Sequence, residues 1–372
     1  MSPARPGRPP FRADHIGSLL RPPELKQAFR DHSAGKIDAT EFARVQDEAI
    51  RQVVGMQEAT GFKVVTDGEF RRSSYWGRFA ARIDGCAVRP AHFKFRDDAG
   101  HAVEFTAPYA EARLRRAQPL AADEFSFLHT VTATTAKVTL PAPSTLHFYR
   151  CDDFADPKAY RSSDEFFADV AAIFQQELAA LAELGCRYVQ LDEVALAMLC
   201  DPAICEQTRA KGHDPKQLVQ SYIDAINQAV ANVPPAMSVG VHICRGNFKG
   251  NYLSQGGYDL IAEALFNQTR VSHFLLEYDT PRAGDFAPLR FLPPDKGVVL
   301  GLISSKTPAV ETQDELMRRV EDAARIAPLG QLGISPQCGF ASTVAGNPVD
   351  LNAQAAKLRA VTQAAEQIWG PN

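Results

Sequence analysis

Residues 163–193 read SDEFFADVAAIFQQELAALAELGCRYVQLDE, one helix pattern followed by one strand. The helical part opens on a capping-type Ser163 and closes on Gly185, a residue that supplies the left-handed turn helices often end on. The run that starts at Arg187 is short, apolar and β-branched, and it ends in polar groups, which predicts a buried strand. The same unit recurs along the chain. Further strand candidates are ADHIGS near Ala13, KVVTDGE at Lys63, AKVTLP at Ala136, SVGVHIC at Ser238, HFLLEYD at His273, VVLGLIS at Val298 and LGISPQCG at Leu332. Helical patterns start at Glu41, ending on Gly61, and at Thr312, which has a Thr cap and acids in its first turn.

Alternating strand and helix imply a parallel sheet with right-handed crossovers, and eight such units close into a (β/α)8 TIM barrel. The rival is an open doubly wound sheet, but no GxGxxG follows the first strand. Residues 80–130 break the rhythm. Two alternating runs there flank Asp97-Asp98-Ala99-Gly100, which predicts a β-hairpin insertion between the second and third strands. The expected organisation is a disordered leader over residues 1–10 and a single catalytic barrel over residues 11–372.

The 372 residues carry a net charge of -4 and are 45% hydrophobic and 23% charged, ordinary values for a soluble globular chain. Mild acidity gives no reason to expect nucleic acid or an anionic membrane as partner. No run reaches the ~20 apolar residues of a membrane-spanning helix, and the basic start has no apolar segment behind it. Seven irregularly spaced cysteines argue against a disulfide framework and for a reducing, cytoplasmic compartment. Cys186 and Cys200 suit a core role. Oligomeric state is not readable, and a homo-oligomer stays open.

In such a barrel the C-terminal strand ends carry the chemistry. Here they supply His15 and Ser18, Asp67 and Glu69, Thr139, Gln190, Asp192 and Glu193, His242 and Cys244, Glu277 and Asp279, Ser304 and Ser305, and Cys338. Residues i and i+2 of a strand face the same way, so His242 and Cys244 both face the axis. With Glu277 and Cys338 at the ends of the sixth and eighth strands they form an imidazole, two thiolates and a carboxylate, a set suited to Zn²⁺. Taken singly, each has a plainer use: a strand-end Cys is usually core, and a lone His is more often hydrogen-bonded.

The segments HIGSLLRP at His15, TDGEFRR at Thr66, VQLDEVAL at Val189, VHICRGNF at Val241, LLEYDT at Leu275 and SPQCGF at Ser335 resemble the catalytic half of cobalamin-independent methionine synthase. The resemblance runs from about Phe11 to about Gly346, and all six fall in the family's order. It implies a zinc enzyme of the S-methyltransferase type, with His242, Cys244, Glu277 and Cys338 as zinc ligands. It also implies that Ser18, Glu69 and Asp192 hold homocysteine. The alternative for Glu69 and Asp192 is pairing with Arg71, Arg72 or Arg245. Two departures matter. The chain has room for one barrel where the larger enzymes have two, which leaves the methyl donor open between a methyl-folate and a corrinoid. The family's seventh-strand His is absent: the segment reads GLISSKTP and Ile303 takes the position, so either Lys306 or Ser304 substitutes as proton donor or the leaving group differs.

Three anionic ligands make a metal a weak activator of water and keep a thiolate electron-rich, which suits alkyl transfer to sulfur. Tyr75, Trp76, Phe79 and Phe248 could stack an aromatic donor or could simply pack. The competing activities are transfer involving another thiol, such as epoxide opening by coenzyme M with Arg21, Arg71 or Arg72 on the sulfonate, or demethylation of a small compound. A non-catalytic zinc barrel is the third reading.

Overall fold

The computed structural model describes residues 7–97 and 99–371. Its strands are β1 (Val64–Val65), β2 (Ile83–Pro90), β3 (Phe95–Arg96), β4 (Ala102–Val103), β5 (Thr106–Arg116), β6 (Thr135–Pro141), β7 (Tyr188–Glu193), β8 (Ser238–Ile243), β9 (His273–Glu277), β10 (Gly297–Ile303) and β11 (Leu332–Pro336). Seven of these form one curled parallel sheet in the order β1-β6-β7-β8-β9-β10-β11, with helices in the crossovers.

The expected first strand around Ala13 is not a regular one. Ala13 makes a single parallel bridge to Ile334, with Asp14 N–H donating to Ile334 O and Ile334 N–H to Arg12 O. A few residues on, the same segment meets the loop after β1: Leu19 N–H donates to Gly68 O at 3.1 Å, and Thr66 Oγ1 to Gly17 O at 2.7 Å. The expected second strand has only two ladder residues. In both places the chain leaves extended geometry early, at Gly17 (φ 126°), Gly68 (φ 69°) and Glu69 (φ 60°).

The helices begin where the side chains can cap them. Asp38 accepts from Glu41 N–H at the helix Ala39–Ala59, and Thr312 from Glu315 N–H at Gln313–Ala324. The helix Ser163–Glu183 is capped by Ser162, which accepts from Glu165 N–H, and not by Ser163. Between β1 and β6, β2 pairs antiparallel with β5, and β3 with β4. Asp98, in the expected turn, lies outside the described residues. So do residues 1–6 of the expected leader. Of the rest, Gly7 is buried against the Pro294 carbonyl and Pro9 against Gly297, while Arg8 and Pro10 are partly exposed. Among the described residues no helix is long and apolar enough to cross a membrane, and all seven cysteines are free.

One feature departs from the usual aliphatic filling of such a sheet. Asp14, Lys137, Tyr188, Gln190 and His273 are fully buried and joined to one another by hydrogen bonds.

Candidate functional site

Strand register gathers the polar ends. Asp192 of β7 is the direct partner of His242 in β8, and His242 that of Leu275 in β9. His242 Nδ1 lies 3.1 Å from the Leu275 carbonyl. A carbonyl can only accept, so Nδ1 carries the proton and Nε2 presents its lone pair. That Nε2 is buried without a partner. It points into a group in which the ligand atoms of His242, Cys244 and Cys338 lie within 4.8 Å of one another. The two sulfurs are 3.2 Å apart, far beyond a ~2.05 Å disulfide bond. A lone imidazole nitrogen and two close thiols are what a soft divalent cation takes.

The groups of this cluster shift one another. The neighbouring Cys338 thiol, then burial, hold Cys244 well above the ordinary thiol range. Burial alone would lower His242, but Cys244 and Asp192 outweigh it and raise it. Glu277, expected as fourth ligand, is fully buried beside the cluster and turned to other partners. Its Oε2 accepts from Arg245 N–H at 3.0 Å, and its Oε1 lies 3.4 Å from Lys306 Nζ. Burial favours its neutral form, yet Lys306 and Arg245 prevail and hold it below its ordinary value. Lys306 is held above its own value because Glu277 and Asp279 overcome burial.

A cavity of about 460 Å³ opens on the cluster, and Ser18, Glu69, Asp192, His242, Cys244 and Cys338 all line it. Glu69 Oε1 accepts from Thr139 Oγ1 at 2.8 Å and lies 3.5 Å from Arg72, while its Oε2 is buried without a partner. Burial, reinforced by Glu69 against the opposing pull of His242, pushes Asp192 up to about 7. Ser18 reaches the cavity because residue 339 has no side chain: a Cβ on Gly339 would come 1.9 Å from Ser18 Oγ.

The arginines are committed elsewhere. Arg21 donates to four backbone carbonyls, those of Glu69, Arg72, Ala341 and Thr343. Arg72 is taken up mainly by Glu124 and Thr139. Arg71 pairs with Asp47, and Arg245 sits against Tyr258 and Gly256. The pairing alternative for Glu69 is therefore met only by the long Arg72 contact, and no Lys or Arg lines the cavity among the described residues.

A second cleft of about 480 Å³ shares Tyr75, Phe95, Tyr149, Asn247 and Ser342 with the first and adds Trp76, Phe105 and Phe248. Phe79, expected near the mouth, instead packs on Phe174 in the core. Reasoning from the sequence missed Tyr149, whose hydroxyl is 2.8 Å from that of Tyr75. It also missed Asn247, which ties the β8 loop to Gly339 O at 2.7 Å. Asn247 stands inside the HICRGNF segment, two residues beyond Arg245, so its loop was flagged although the residue was not.

The family model described as the catalytic domain of cobalamin-independent synthase matches residues 11–367. The uncharacterized protein YxjH of Bacillus subtilis is 37% identical over 97% of this chain and 95% of its own length. The methionine synthase of Pyrococcus abyssi is 28% identical over 87% of this chain and 85% of its own. The structure of a putative vitamin-B12 independent methionine synthase from Listeria monocytogenes superposes with a TM-score of 0.74 at 31% identity, covering 98% of this chain and 99% of that one.

Proposed function

Because the chain belongs to the cobalamin-independent synthase catalytic-domain family, we propose that this methyltransferase moves a methyl group to the thiol of homocysteine and yields methionine. The observation that carries this reading is one cavity lined by His242, Cys244 and Cys338 together with Ser18, Glu69 and Asp192, and, among the described residues, by no lysine or arginine. Glu69 and Asp192 bind the α-ammonium, and the Ser18 hydroxyl binds the α-carboxylate. A sulfonate thiol would need a cation where the cavity has two acids, which disfavours the coenzyme M alternative.

Zn²⁺ is the ion we propose, held by His242, Cys244 and Cys338 with Glu277 as fourth ligand; when bound it stabilises a substrate thiol as thiolate near neutral pH. Glu277 would give up its contact with Lys306 to serve. Lys306 then balances the charge of this anionic ligand set and is our candidate for the proton donor to the leaving group. The second cleft, walled by Tyr75, Trp76 and Phe248, suits a stacked pterin ring, so the methyl donor is read as a methyl-folate. A corrinoid is far larger than the cleft and would have to present its methyl from outside. We also read residues 12–19 as the eighth stave of a closed (β/α)8 barrel, residues 80–130 as its insertion, and the free cysteines as marks of a cytoplasmic protein.

The test is a methyl-transfer assay with homocysteine on zinc-loaded protein, against methyl-folates of one and several glutamates and methylcobalamin. Cys338→Ala is run beside it with its zinc content measured. Loss of zinc and of at least about 100-fold in rate is expected. Full activity in a zinc-free variant would end the proposal.

A further inference from the structure

Below Asp192 a line of buried polar side chains runs along the inside of the sheet, and their chemistry permits only one direction for its hydrogen bonds. Lys137 is an ammonium with three donors and no acceptor. Its Nζ donates to Asp14 Oδ1 at 2.6 Å, to the His15 carbonyl and to Gln190 Oε1 at 3.1 Å. All three hydrogens are used. Asp14 is held in turn by Tyr188, whose hydroxyl donates to Oδ2 at 2.5 Å. With that hydrogen committed, His273 Nε2 must donate to the Tyr188 oxygen, 2.8 Å away. The ring has space because its neighbour in β8 is Gly240: a Cβ there would come 2.3 Å from Nε2.

The consequence falls on Gln190. An amide can flip, but an ammonium cannot accept, so Lys137 locks Oε1 toward itself and turns the NH₂ group the other way. That NH₂ donates to Ile16 O at 2.7 Å and to Asp192 Oδ1 at 2.6 Å. A flipped amide would face the carboxylate with an oxygen. As it stands, Gln190 ties down one oxygen of Asp192, and Oδ2 takes no hydrogen bond from the described residues. We infer that Lys137 and Gln190 are positioning residues that aim Asp192, through a locked amide, at the ammonium group of an amino-acid thiol. The inference rests on the reading of Asp192 as the ammonium's partner.

The experiment compares two thiols on zinc-loaded protein by calorimetric titration: homocysteine, and 4-mercaptobutanoate, which is homocysteine without its amino group. Gln190→Leu is expected to weaken homocysteine about tenfold or more and to leave 4-mercaptobutanoate within about twofold. Gln190→Met keeps the side-chain length and a weak sulfur acceptor for Lys137 and removes the N–H groups without adding charge, so it tests the same point if the leucine variant does not fold. Equal weakening of both thiols, or no weakening of homocysteine, overturns the inference. Asp192→Asn separates the two levels. If it leaves the preference for homocysteine intact, the ammonium reading falls and this inference with it. If it abolishes the preference while both Gln190 variants keep it, only the positioning role falls.

Discussion

Glu193 follows Asp192 in the chain but faces the opposite side of β7, where it is fully buried with Ser144 Oγ and the N–H of Leu196 as partners. Burial pushes it up to about 7. An unfolded glutamate titrates near ~4.3. Between these values the native protein holds a proton that the unfolded chain has released, so stability falls as pH rises from about 4.5 to 7. Asp192 adds a slope of the same sign. Glu193→Gln keeps an oxygen for the Leu196 N–H, turns an NH₂ toward Ser144 Oγ, which then accepts, and removes the ionisation. It should stabilise the protein by about 2 kcal/mol more at pH 7.5 than at pH 5. Urea unfolding at the two pH values measures this, and equal shifts at both would refute it. The contrast between these neighbours shows what a sequence gives at residue scale. The strand period puts His242 and Cys244 on one side, and Cys338 joins them because its strand neighbours belong to the same rim. Glu277 was legible as a rim carboxylate, but its turn toward Lys306 and Arg245 depends on a packing across three loops that no spacing encodes. Lys137 carried a usable signal, a charge inside a mostly apolar strand, and only the folded sheet shows what it holds.

At the scale of elements, the helix Ala122–Val131 has no side-chain cap of its own, since Ala121 stands at its N-cap. Its free N–H groups are taken by a residue from the middle of another helix. Glu177, fully buried in Ser163–Glu183, accepts from Ala121 N–H and Ala122 N–H, both at 2.7 Å, and from Leu120 N–H at 2.9 Å, while Arg116 of β5 pairs with it at 2.7 Å. One carboxylate thus joins two helices and a strand. Glu177→Ala would strand three buried donors and an arginine, at a cost of about 3 to 5 kcal/mol. Glu177→Gln keeps one acceptor oxygen and should cost less than half as much. A thermal shift as small for alanine as for glutamine would rule out this account. Such a long-range cap cannot be read from a sequence, where an acid in mid-helix looks like a solvated face. Strands and long helices were readable because their apolar periods are set by local geometry. The exceptions, residues 13–18 and the short β1, are those where glycines and a positive-φ glutamate bend the chain to bring Ser18 and Glu69 to the cavity. There the demands of the site override the strand pattern.

For the whole molecule, the question is what the proposed zinc would hold together. In a small zinc domain the ion substitutes for a core, and removing it unfolds the chain. Here His242 and Cys244 come from β8 and the residue that follows it, and Cys338 from the loop after β11. Between β8 and β11, β9 and β10 are already joined through full parallel ladders. The core runs through every stave of the sheet and takes in Cys244 and Cys338, but it is built mainly of aliphatic and aromatic side chains that need no ion. Removing the ion should therefore leave a cooperative fold, weakened by the binding free energy at the prevailing zinc concentration, about 4 kcal/mol at 1,000 times Kd. For a chain of this size that is a fall of several degrees in Tm rather than a collapse. It should shrink as pH falls, because zinc must displace protons from its thiol and imidazole ligands. Calorimetry before and after a strong chelator, followed by zinc return, measures it. Cys244→Ser supplies the control, because a protein that no longer holds the ion should show no chelator effect. Complete unfolding on chelation would mean that the ion, and not the ladder between β8 and β11, closes this side of the sheet.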